Sequence, residues 1–354
     1  MPNLPIVVST GCPSGIGPEV SLLAASELAS EKQKLVLVGD VAHLTSMADM
    51  LRVNRKNWGV SSLGAPLLHP VTLVQAGPRL RQSERIFGKP AKASGVAQLA
   101  YIDEAIQWMN AGQAAAMVTG PVNKAEVVRS RANPHFTGHT EYLRDRAGVG
   151  EVTMAFWTPA FTTALVTTHI PLRDVARAID ETSVLRAVRH LAEFVCEHGD
   201  AKKPIYVCGL NPHAGEEGLI GTEETRIKAA LRRFCSADGP AIVGPVGAET
   251  VFRFAKDGNA SGVVAMYHDQ ATIPTKLLGF GEAVNVTLGL PYIRTSVDHG
   301  TGYDVAGKGI ARADGMISAI QLAIKMAKSA KVSSPAKQVK RTMVAESSKL
   351  TKKK

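Results

Sequence analysis

Short apolar runs alternate with amphipathic stretches along most of the chain, and this alternation restricts the folds that the chain can adopt. Parallel β-strands joined by crossover helices produce such a pattern. The predicted strands are Ile6–Ser9, Leu35–Val38, Ala115–Val118, Thr163–Thr167, Ile205–Cys208, Ala241–Val243, Gly262–Met266 and Val284–Leu288. The predicted helices include Val96–Met109, Val184–Cys196, Glu223–Cys235 and Met316–Ala327. The sequence therefore predicts an α/β fold with mostly parallel strands.

The length of the chain indicates two lobes. A single hydrophobic core stops growing at roughly 250–300 residues, whereas this chain has 354 residues, of which 45% are hydrophobic. Near residues 131–137, which include Asn133-Pro134, an Ala-rich helical pattern gives way to a polar loop. We expect the first crossing between the lobes there.

The net charge of +10 is concentrated at one end of the chain. From Lys328 onward there are nine basic residues and one acidic residue, Glu346, so this segment carries +8 and the remainder +2. Because a Ser/Lys-rich segment without apolar periodicity buries too little surface to offset chain entropy, residues 329–354 are predicted to be a disordered basic tail. A membrane- or nucleic-acid-binding arm is the alternative, and we favour the solvated tail.

The sequence shows neither a targeting signal nor a CxxC pair of cysteines. No N-terminal stretch has the pattern of a signal peptide, and no apolar segment reaches the ~18 residues that span a bilayer. The four cysteines, Cys12, Cys196, Cys208 and Cys235, form no CxxC pair. We expect a cytoplasmic protein with reduced thiols and without a membrane partner.

Three predicted strands lead into polar clusters that contain a histidine: His169, His213 and His268. Ligands of open α/β sheets bind beyond the carboxyl ends of the strands, and three imidazoles suffice to hold a catalytic divalent metal. A single such histidine is usually an ordinary loop residue, but the threefold recurrence favours a metal site. Asp269 follows His268 and could orient it, accept a proton or cap a turn.

Basic side chains downstream of His268 are consistent with an anion site. Lys276 and Arg294 lie on either side of the predicted strand Val284–Leu288, which contains Asn285. Cations near a buried strand must be exposed or face an anion, and both alternatives stay open.

A further segment, which contains His139 and Thr140, precedes a predicted helix. The backbone N–H groups of a helix N-terminus attract anions, although an ordinary helix cap explains the same residues.

Two glycine-rich segments differ from the nucleotide-binding motifs that they approach. The segment from Gly11 to Glu19 follows a strand and opens a helix, but Val20 occupies the place of the third glycine in the dinucleotide-binding fingerprint. The segment from Gly302 to Gly309 lacks the Ser or Thr of a P-loop. A nucleoside triphosphatase is therefore excluded.

Seven motifs follow one another along the chain. They are Gly15-Ile16-Gly17-Pro18-Glu19, Thr119-Gly120-Pro121-Val122-Asn123-Lys124, Gly138-His139-Thr140-Glu141, Thr167-Thr168-His169-Ile170-Pro171-Leu172, Gly209-Leu210-Asn211-Pro212-His213-Ala214-Gly215, Tyr267-His268-Asp269-Gln270 and Arg294-Thr295-Ser296-Val297-Asp298-His299-Gly300-Thr301. With these motifs in this order, the chain resembles the 4-hydroxythreonine-4-phosphate dehydrogenase family of pyridoxal phosphate biosynthesis over about residues 5–328. The chain departs from the family pattern at Cys12, where an acid is usual, and at Glu249, where aspartate is common.

The resemblance implies a set of site residues. The divalent metal, which would be zinc, magnesium or cobalt, would be bound by His169, His213 and His268 at a site shared between the subunits of a homodimer. The phosphorylated substrate would be held by His139, Thr140, Lys276, Asn285 and Arg294. Asp269 and Lys124 are the candidate proton acceptors.

The resemblance also implies the fold of isocitrate and isopropylmalate dehydrogenases, which has two α/β/α lobes with mostly parallel sheets and a cleft between them. Residues 1–132 and 300–328 would form the lobe on the cofactor side, and residues 133–299 the lobe with the metal, substrate and dimer contacts. The segment from His299 to Gly309 resembles the adenosine-binding loop of those enzymes, so Gly300 and Asp304 would bind NAD or NADP. The acidic Asp304 favours NAD, because it would repel a 2′-phosphate.

The implied reaction oxidises 4-phosphooxy-L-threonine to 2-amino-3-oxo-4-phosphooxybutanoate, which loses CO2 to give 3-amino-2-oxopropyl phosphate. One alternative is a dehydrogenase of a phosphorylated four-carbon sugar acid, threonate or erythronate 4-phosphate. A second is a phosphate acyltransferase of similar architecture, and a third is a nucleic-acid-binding protein that uses the basic tail.

Overall fold

The computed structural model describes residues 4–30, 32–234, 239–279 and 282–330. Cys235 lies outside the described residues, and so does the predicted basic tail from residue 331 onward. The last helix continues to Ala330. None of the helices in the described ranges is long and apolar enough to span a bilayer.

Strands and helices alternate along the described residues. The strands are β1 (Ile6–Ser9), β2 (Leu35–Gly39), β3 (Trp58–Ser61), β4 (Val71–Gln75), β5 (Ala116–Thr119), β6 (Thr153–Trp157), β7 (Thr162–Leu165), β8 (Ile205–Cys208), β9 (Ile242–Val246), β10 (Gly262–Ala265), β11 (Val284–Leu288) and β12 (Arg294–Ser296). The α-helices are α1 (Gly17–Leu28), α2 (Val41–Met50), α3 (Lys92–Asn110), α4 (Lys124–Arg129), α5 (His139–Ala147), α6 (Leu172–Ala178), α7 (Glu181–His198), α8 (Glu224–Arg233), α9 (Ala248–Lys256), α10 (His268–Leu278) and α11 (Asp314–Ala330). The predicted α/β class is confirmed.

All twelve strands of the described ranges form one sheet, in the order β3-β4-β2-β1-β5-β12-β11-β6-β7-β10-β8-β9. The first six strands in this order, β3-β4-β2-β1-β5-β12, are parallel to each other. The last four, β7-β10-β8-β9, are also parallel to each other. Between the two groups, β11 and β6 pair antiparallel with their neighbours, so the two groups run in opposite directions. The sheet is mostly parallel, as predicted. It is continuous through both predicted lobes, whose boundaries stay a prediction.

The strands that precede the three histidines are neighbours in this sheet. Strand β10 pairs in parallel with β7 on one side and with β8 on the other. The carboxyl ends of these strands therefore lie along one edge, which places the segments that carry His169, His213 and His268 beyond the same edge.

Helices cover both faces of the sheet. In β1, Ile6 and Val8 belong to a core cluster that also contains residues of α1, α2, α7, α8 and α11. Val7 faces the other side and belongs to a second cluster, together with residues of α3, α4 and α5. This alternation is what a strand that is buried on both faces requires, and it produces an α/β/α arrangement.

Gly11 provides a test of the packing at the carboxyl end of β1. Its φ is +77°, and a Cβ at this position would lie 2.3 Å from the carbonyl oxygen of Pro121. Gly112 has a similar φ of +64°, but a Cβ there would meet nothing within 4 Å. Gly11→Ala should therefore lower the free energy of unfolding by about 2 kcal/mol more than Gly112→Ala, because only Gly11→Ala adds a clash with rigid backbone to the cost of the left-handed conformation. Urea denaturation of both variants measures this difference, and equal losses would contradict the close approach.

Candidate functional site

Arg294, at the start of β12, is a buried cation that forms no salt bridge with an acidic side chain of the described residues, although Glu141 acts on its charge from a longer distance. It is 2% exposed. Nη1 donates to Asn285 Oδ1 and to Thr287 Oγ1, each at 2.9 Å, and Nη2 donates to Thr119 Oγ1 at 2.6 Å. These partners are all neutral, and within the described part of the chain Nε has no hydrogen-bond partner. Burial lowers the pKa of Arg294 to about 10, so the guanidinium keeps its charge at neutral pH.

Sheet register explains why these side chains meet. Ser296 of β12 lies opposite Asn285 of antiparallel β11 and beside Thr119 of parallel β5. Because side chains alternate between the faces of a strand, Arg294 lies on the same face as Ser296, and Thr287 lies on the same face as Asn285. The three central strands therefore present a polar patch on one face of the sheet.

His139, the first residue of α5, supplies a second unpartnered group. Its Nε2 atom is buried and has no hydrogen-bond partner among the described residues. Burial, together with the charges of Arg294 and Lys124, holds the pKa of His139 well below its usual value of 6.5, so the ring is neutral. The buried Thr140 follows it in the first turn of α5. A neutral ring nitrogen and a guanidinium without a counterion suit a ligand that brings negative charge and acceptor oxygens.

Two of the three predicted metal ligands lie together. The ring centroids of His169 and His268 are 5.4 Å apart. His268 Nδ1 donates to Asp269 Oδ1 at 2.7 Å, which leaves Nε2 as the available ligand nitrogen. Desolvation, with smaller effects from Lys124 and His268, lowers the pKa of His169, so its ring is neutral and able to bind a metal. Two imidazoles at this separation fit part of the coordination shell of a divalent transition metal.

His213 does not join this pair within one chain. Among the described residues, no group of three or more His, Cys, Asp or Glu side chains could hold a metal ion. His213 lies in the 3-10 segment Pro212–Gly218, is exposed and has a φ of +52°. One chain therefore provides an incomplete set of ligands.

Two residues that sequence reasoning missed hold the histidine-bearing segments. Gln270 links the ends of two strands, because its Oε1 accepts from the Met266 N–H at 2.6 Å and its Nε2 donates to the Gly209 carbonyl at 2.9 Å. Glu224, which is 4% exposed, accepts from the N–H groups of Leu210 and Asn211 at 2.9 and 2.8 Å. In the sequence, only the membership of Gln270 in the Tyr267–Gln270 motif indicated that these residues hold the histidine-bearing segments.

The two predicted site lysines, Lys276 and Lys124, are more exposed than Arg294 and His139. Lys276 Nζ lies 3.2 Å from Asp298 Oδ2, an acidic partner that sequence reasoning also missed. Burial raises the pKa of Asp298, and Lys276 partly offsets this. Lys124, the first residue of α4, is exposed and acts electrostatically on both His139 and His169. The structure therefore places Lys124 near both groups of site residues.

The predicted cofactor loop packs against the first loop of the chain. The Ile16 N–H donates to the Thr301 carbonyl at 2.9 Å, and the buried Glu19 accepts from the Gly307 N–H at 3.2 Å. In the same loop, Gly300 and Asp304 are exposed.

Tyr303 of this loop contacts Cys12, the residue at the position where the family usually has an acid. The Tyr303 hydroxyl lies 3.3 Å from Cys12 Sγ, and it accepts from Asn123 Nδ2 at 2.7 Å. Burial raises the pKa of Cys12, so the thiol is neutral and serves as a packing and hydrogen-bonding group.

A mostly parallel sheet that buries a guanidinium among neutral polar side chains is typical of an α/β enzyme that binds a small anion. The chain belongs to the family of the pyridoxal phosphate biosynthetic protein PdxA, whose family model matches residues 31–323. This confirms the resemblance that the motifs indicated.

Named relatives cover nearly the whole chain. The 4-hydroxythreonine-4-phosphate dehydrogenase of Geobacter metallireducens is 40% identical over 339 residues, which are 93% of this chain and 97% of that protein. The enzyme of the same name from Vibrio cholerae is 38% identical over 328 residues, which are 91% of this chain and 97% of that protein.

Solved structures show the same fold. The crystal structure of 4-hydroxythreonine-4-phosphate dehydrogenase from Klebsiella pneumoniae matches with a TM-score of 0.78 and 32% identity, and the match covers 92% of this chain and 99% of that one. A terephthalate 1,2-cis-dihydrodiol dehydrogenase from Burkholderia xenovorans matches with a TM-score of 0.65 and 26% identity, over 91% and 98% of the two chains.

The environment of His139 predicts a pH dependence of stability. Its pKa is lower in the folded protein than in the unfolded chain, so below about pH 6.5 the unfolded chain binds a proton that the folded protein does not. His139 should therefore reduce the free energy of unfolding as the pH falls, by about 1 kcal/mol at pH 5.5. Urea denaturation at pH 7.5 and 5.5, without phosphate, should show a smaller acid loss in His139→Asn than in the parent. An equal loss in both proteins would contradict the neutral, buried ring.

Proposed function

We propose that the protein is a 4-hydroxythreonine-4-phosphate dehydrogenase that uses a nicotinamide cofactor to oxidise 4-phosphooxy-L-threonine. The observation that carries the proposal is the buried charge of Arg294, which has only neutral partners in the described residues. A substrate phosphate would supply the missing negative charge. Membership of the PdxA family supports the same reaction.

In this proposal the phosphate group lies against Arg294, His139 and Thr140. Asn285 contributes by orienting Arg294, since its Oδ1 accepts from Nη1. Lys276 approaches from the end of α10, where Asp298 holds its amine. The phosphate anchors one end of the substrate and thereby fixes the position of the alcohol that is oxidised.

Oxidation of the alcohol transfers a hydride from carbon to nicotinamide and releases the hydroxyl proton to a base. Lys124 and Asp269 are the proposed acceptors of this proton, because Lys124 lies in the electrostatic environment of His139 and His169, and Asp269 contacts His268. The resulting β-keto acid loses CO2, and protonation of the enolate that remains gives 3-amino-2-oxopropyl phosphate. A divalent metal such as zinc, magnesium or cobalt, when bound, would supply a Lewis acid for this chemistry. Gly300 and Asp304 would bind the cofactor, and the acidic Asp304 favours NAD over NADP.

The metal site would be completed by a second copy of the chain. Each histidine-bearing segment carries exposed apolar side chains: Leu172 is 72% exposed, Leu219 85% and Leu277 76%. Such side chains next to polar ligands are typical of a subunit interface. A homodimer related by a two-fold axis would bring His213 of one copy to His169 and His268 of the other.

Substitution of Arg294 tests the phosphate site. Arg294→Met removes the charge and keeps most of the volume, so it should raise the KM for 4-phosphooxy-L-threonine about 50-fold, because charge-assisted hydrogen bonds to the phosphate are lost. The production of NADH measures this, and the matched control is Arg233→Met, which removes an exposed cation of α8 beside Glu181. A wild-type KM in Arg294→Met would remove Arg294 from the site. Assays of threonate and erythronate 4-phosphate in parallel separate the alternative substrates.

Mixed dimers test the shared metal site. His213→Ala and His169→Ala should each be inactive and metal-poor, whereas a mixture of the two that has exchanged subunits should recover about a quarter of the activity and bound metal, because half of the dimers then contain one intact site. A mixture of His169→Ala with His268→Ala should recover nothing, because both ligands come from the same chain. Absence of recovery in the first mixture would show that the ligands are not shared in this way.

A further inference from the structure

A third buried polar atom without a partner lies close to the proposed phosphate site. It is the hydroxyl of Tyr292, which has no hydrogen-bond partner within the described ranges. The other two atoms are Arg294 Nε and His139 Nε2. A buried hydroxyl without a partner is costly in a folded protein, and unpartnered polar atoms concentrate at sites that bind a ligand.

Tyr292 lies on the same side of the sheet as the helices that form the site. Its ring packs against the core cluster that contains Met117 of β5, Phe136 and Leu143, and the last two flank His139 in the sequence. Tyr292 also interacts electrostatically with Arg294, two residues later in the chain. The three unpartnered atoms therefore belong to one layer, between the central strands and α5.

We propose that the Tyr292 hydroxyl donates a hydrogen bond to the phosphate of the substrate, together with Arg294 Nε and His139 Nε2. This inference rests on the proposed function, which places the phosphate at Arg294. It adds a ligand-binding residue to the five that the family resemblance implied.

The number and charge of these donors favour a phosphate ester over a carboxylate. Burial raises the pKa of Tyr292 to about 12, so its hydroxyl is protonated at neutral pH and can donate. The neutral ring of His139 can donate from Nε2 in one of its tautomers. A phosphate monoester offers three terminal oxygens to three donors, whereas a carboxylate offers two oxygens. The set therefore selects for a substrate that ends in a phosphate group.

Tyr292→Phe tests this proposal, because it removes only the hydroxyl. The matched control is Tyr142→Phe in α5, whose hydroxyl donates to Asp103 at 2.7 Å and is therefore already engaged. Isothermal titration of the full-length protein with inorganic phosphate should show about tenfold weaker binding for Tyr292→Phe and wild-type binding for Tyr142→Phe. The KM for 4-phosphooxy-L-threonine should rise by a similar factor, while kcat changes less than about twofold.

The melting temperature without phosphate distinguishes a ligand-binding hydroxyl from a structural one. Removal of a hydroxyl that stabilises the fold would lower the melting temperature. Because the hydroxyl has no hydrogen-bond partner among the described residues, Tyr292→Phe should melt at the same temperature as wild type or higher. A lower melting temperature together with unchanged phosphate affinity would overturn the proposal.

Arg294→Met separates this proposal from the proposed function. If Arg294→Met loses phosphate binding and Tyr292→Phe keeps the wild-type affinity, the role of Tyr292 is wrong and the phosphate site stands. If both variants keep the wild-type affinity for phosphate, the phosphate site itself is wrong, and the role of Tyr292 is overturned with it.

Discussion

The candidate site depends on one interaction that the chain leaves incomplete, which is the neutralisation of Arg294. Burial of a guanidinium is costly unless a negative charge accompanies it, and removal of one partner of a buried ion pair typically costs about 3–5 kcal/mol. Here three neutral oxygens solvate the two terminal nitrogens, and Nε is left without a partner in the described residues. In the proposed function, this positive charge is held in place for a substrate anion that arrives from solution. Binding energy from that anion is then available to orient the reacting part of the substrate.

The architecture of the sheet explains how a single chain presents this charge and the histidines. The antiparallel strands β11 and β6 join two parallel groups that run in opposite directions. The polar patch lies on the face of the central strands, whereas the histidine segments lie beyond the carboxyl ends of β7, β8 and β10. Lys124 interacts electrostatically with His139 and with His169, and thus links the two regions.

Much of this fold follows from the sequence, because buried parallel strands are nearly continuous apolar runs. The predicted bounds of β1, β8 and β11 agree with the structure, whereas β3, β4, β6 and β12 were not predicted. In β12 the reason is that its three residues, Arg294, Thr295 and Ser296, are all polar. The pairing of Arg294 with Asn285 depends on antiparallel register, and that of Lys276 with Asp298 on a contact between distant segments, so neither followed from local pattern. The hydroxyl of Tyr292 gave no sequence signal, since the role proposed for it depends on its burial.

A crystal structure with bound 4-phosphooxy-L-threonine tests the central claim most directly. We expect phosphate oxygens within hydrogen-bonding distance, about 2.7–3.2 Å, of Arg294 Nε and His139 Nε2, with Arg294 still held by Asn285 and Thr287. A phosphate group bound elsewhere, with no hydrogen bond to Arg294 Nε, would contradict this assignment.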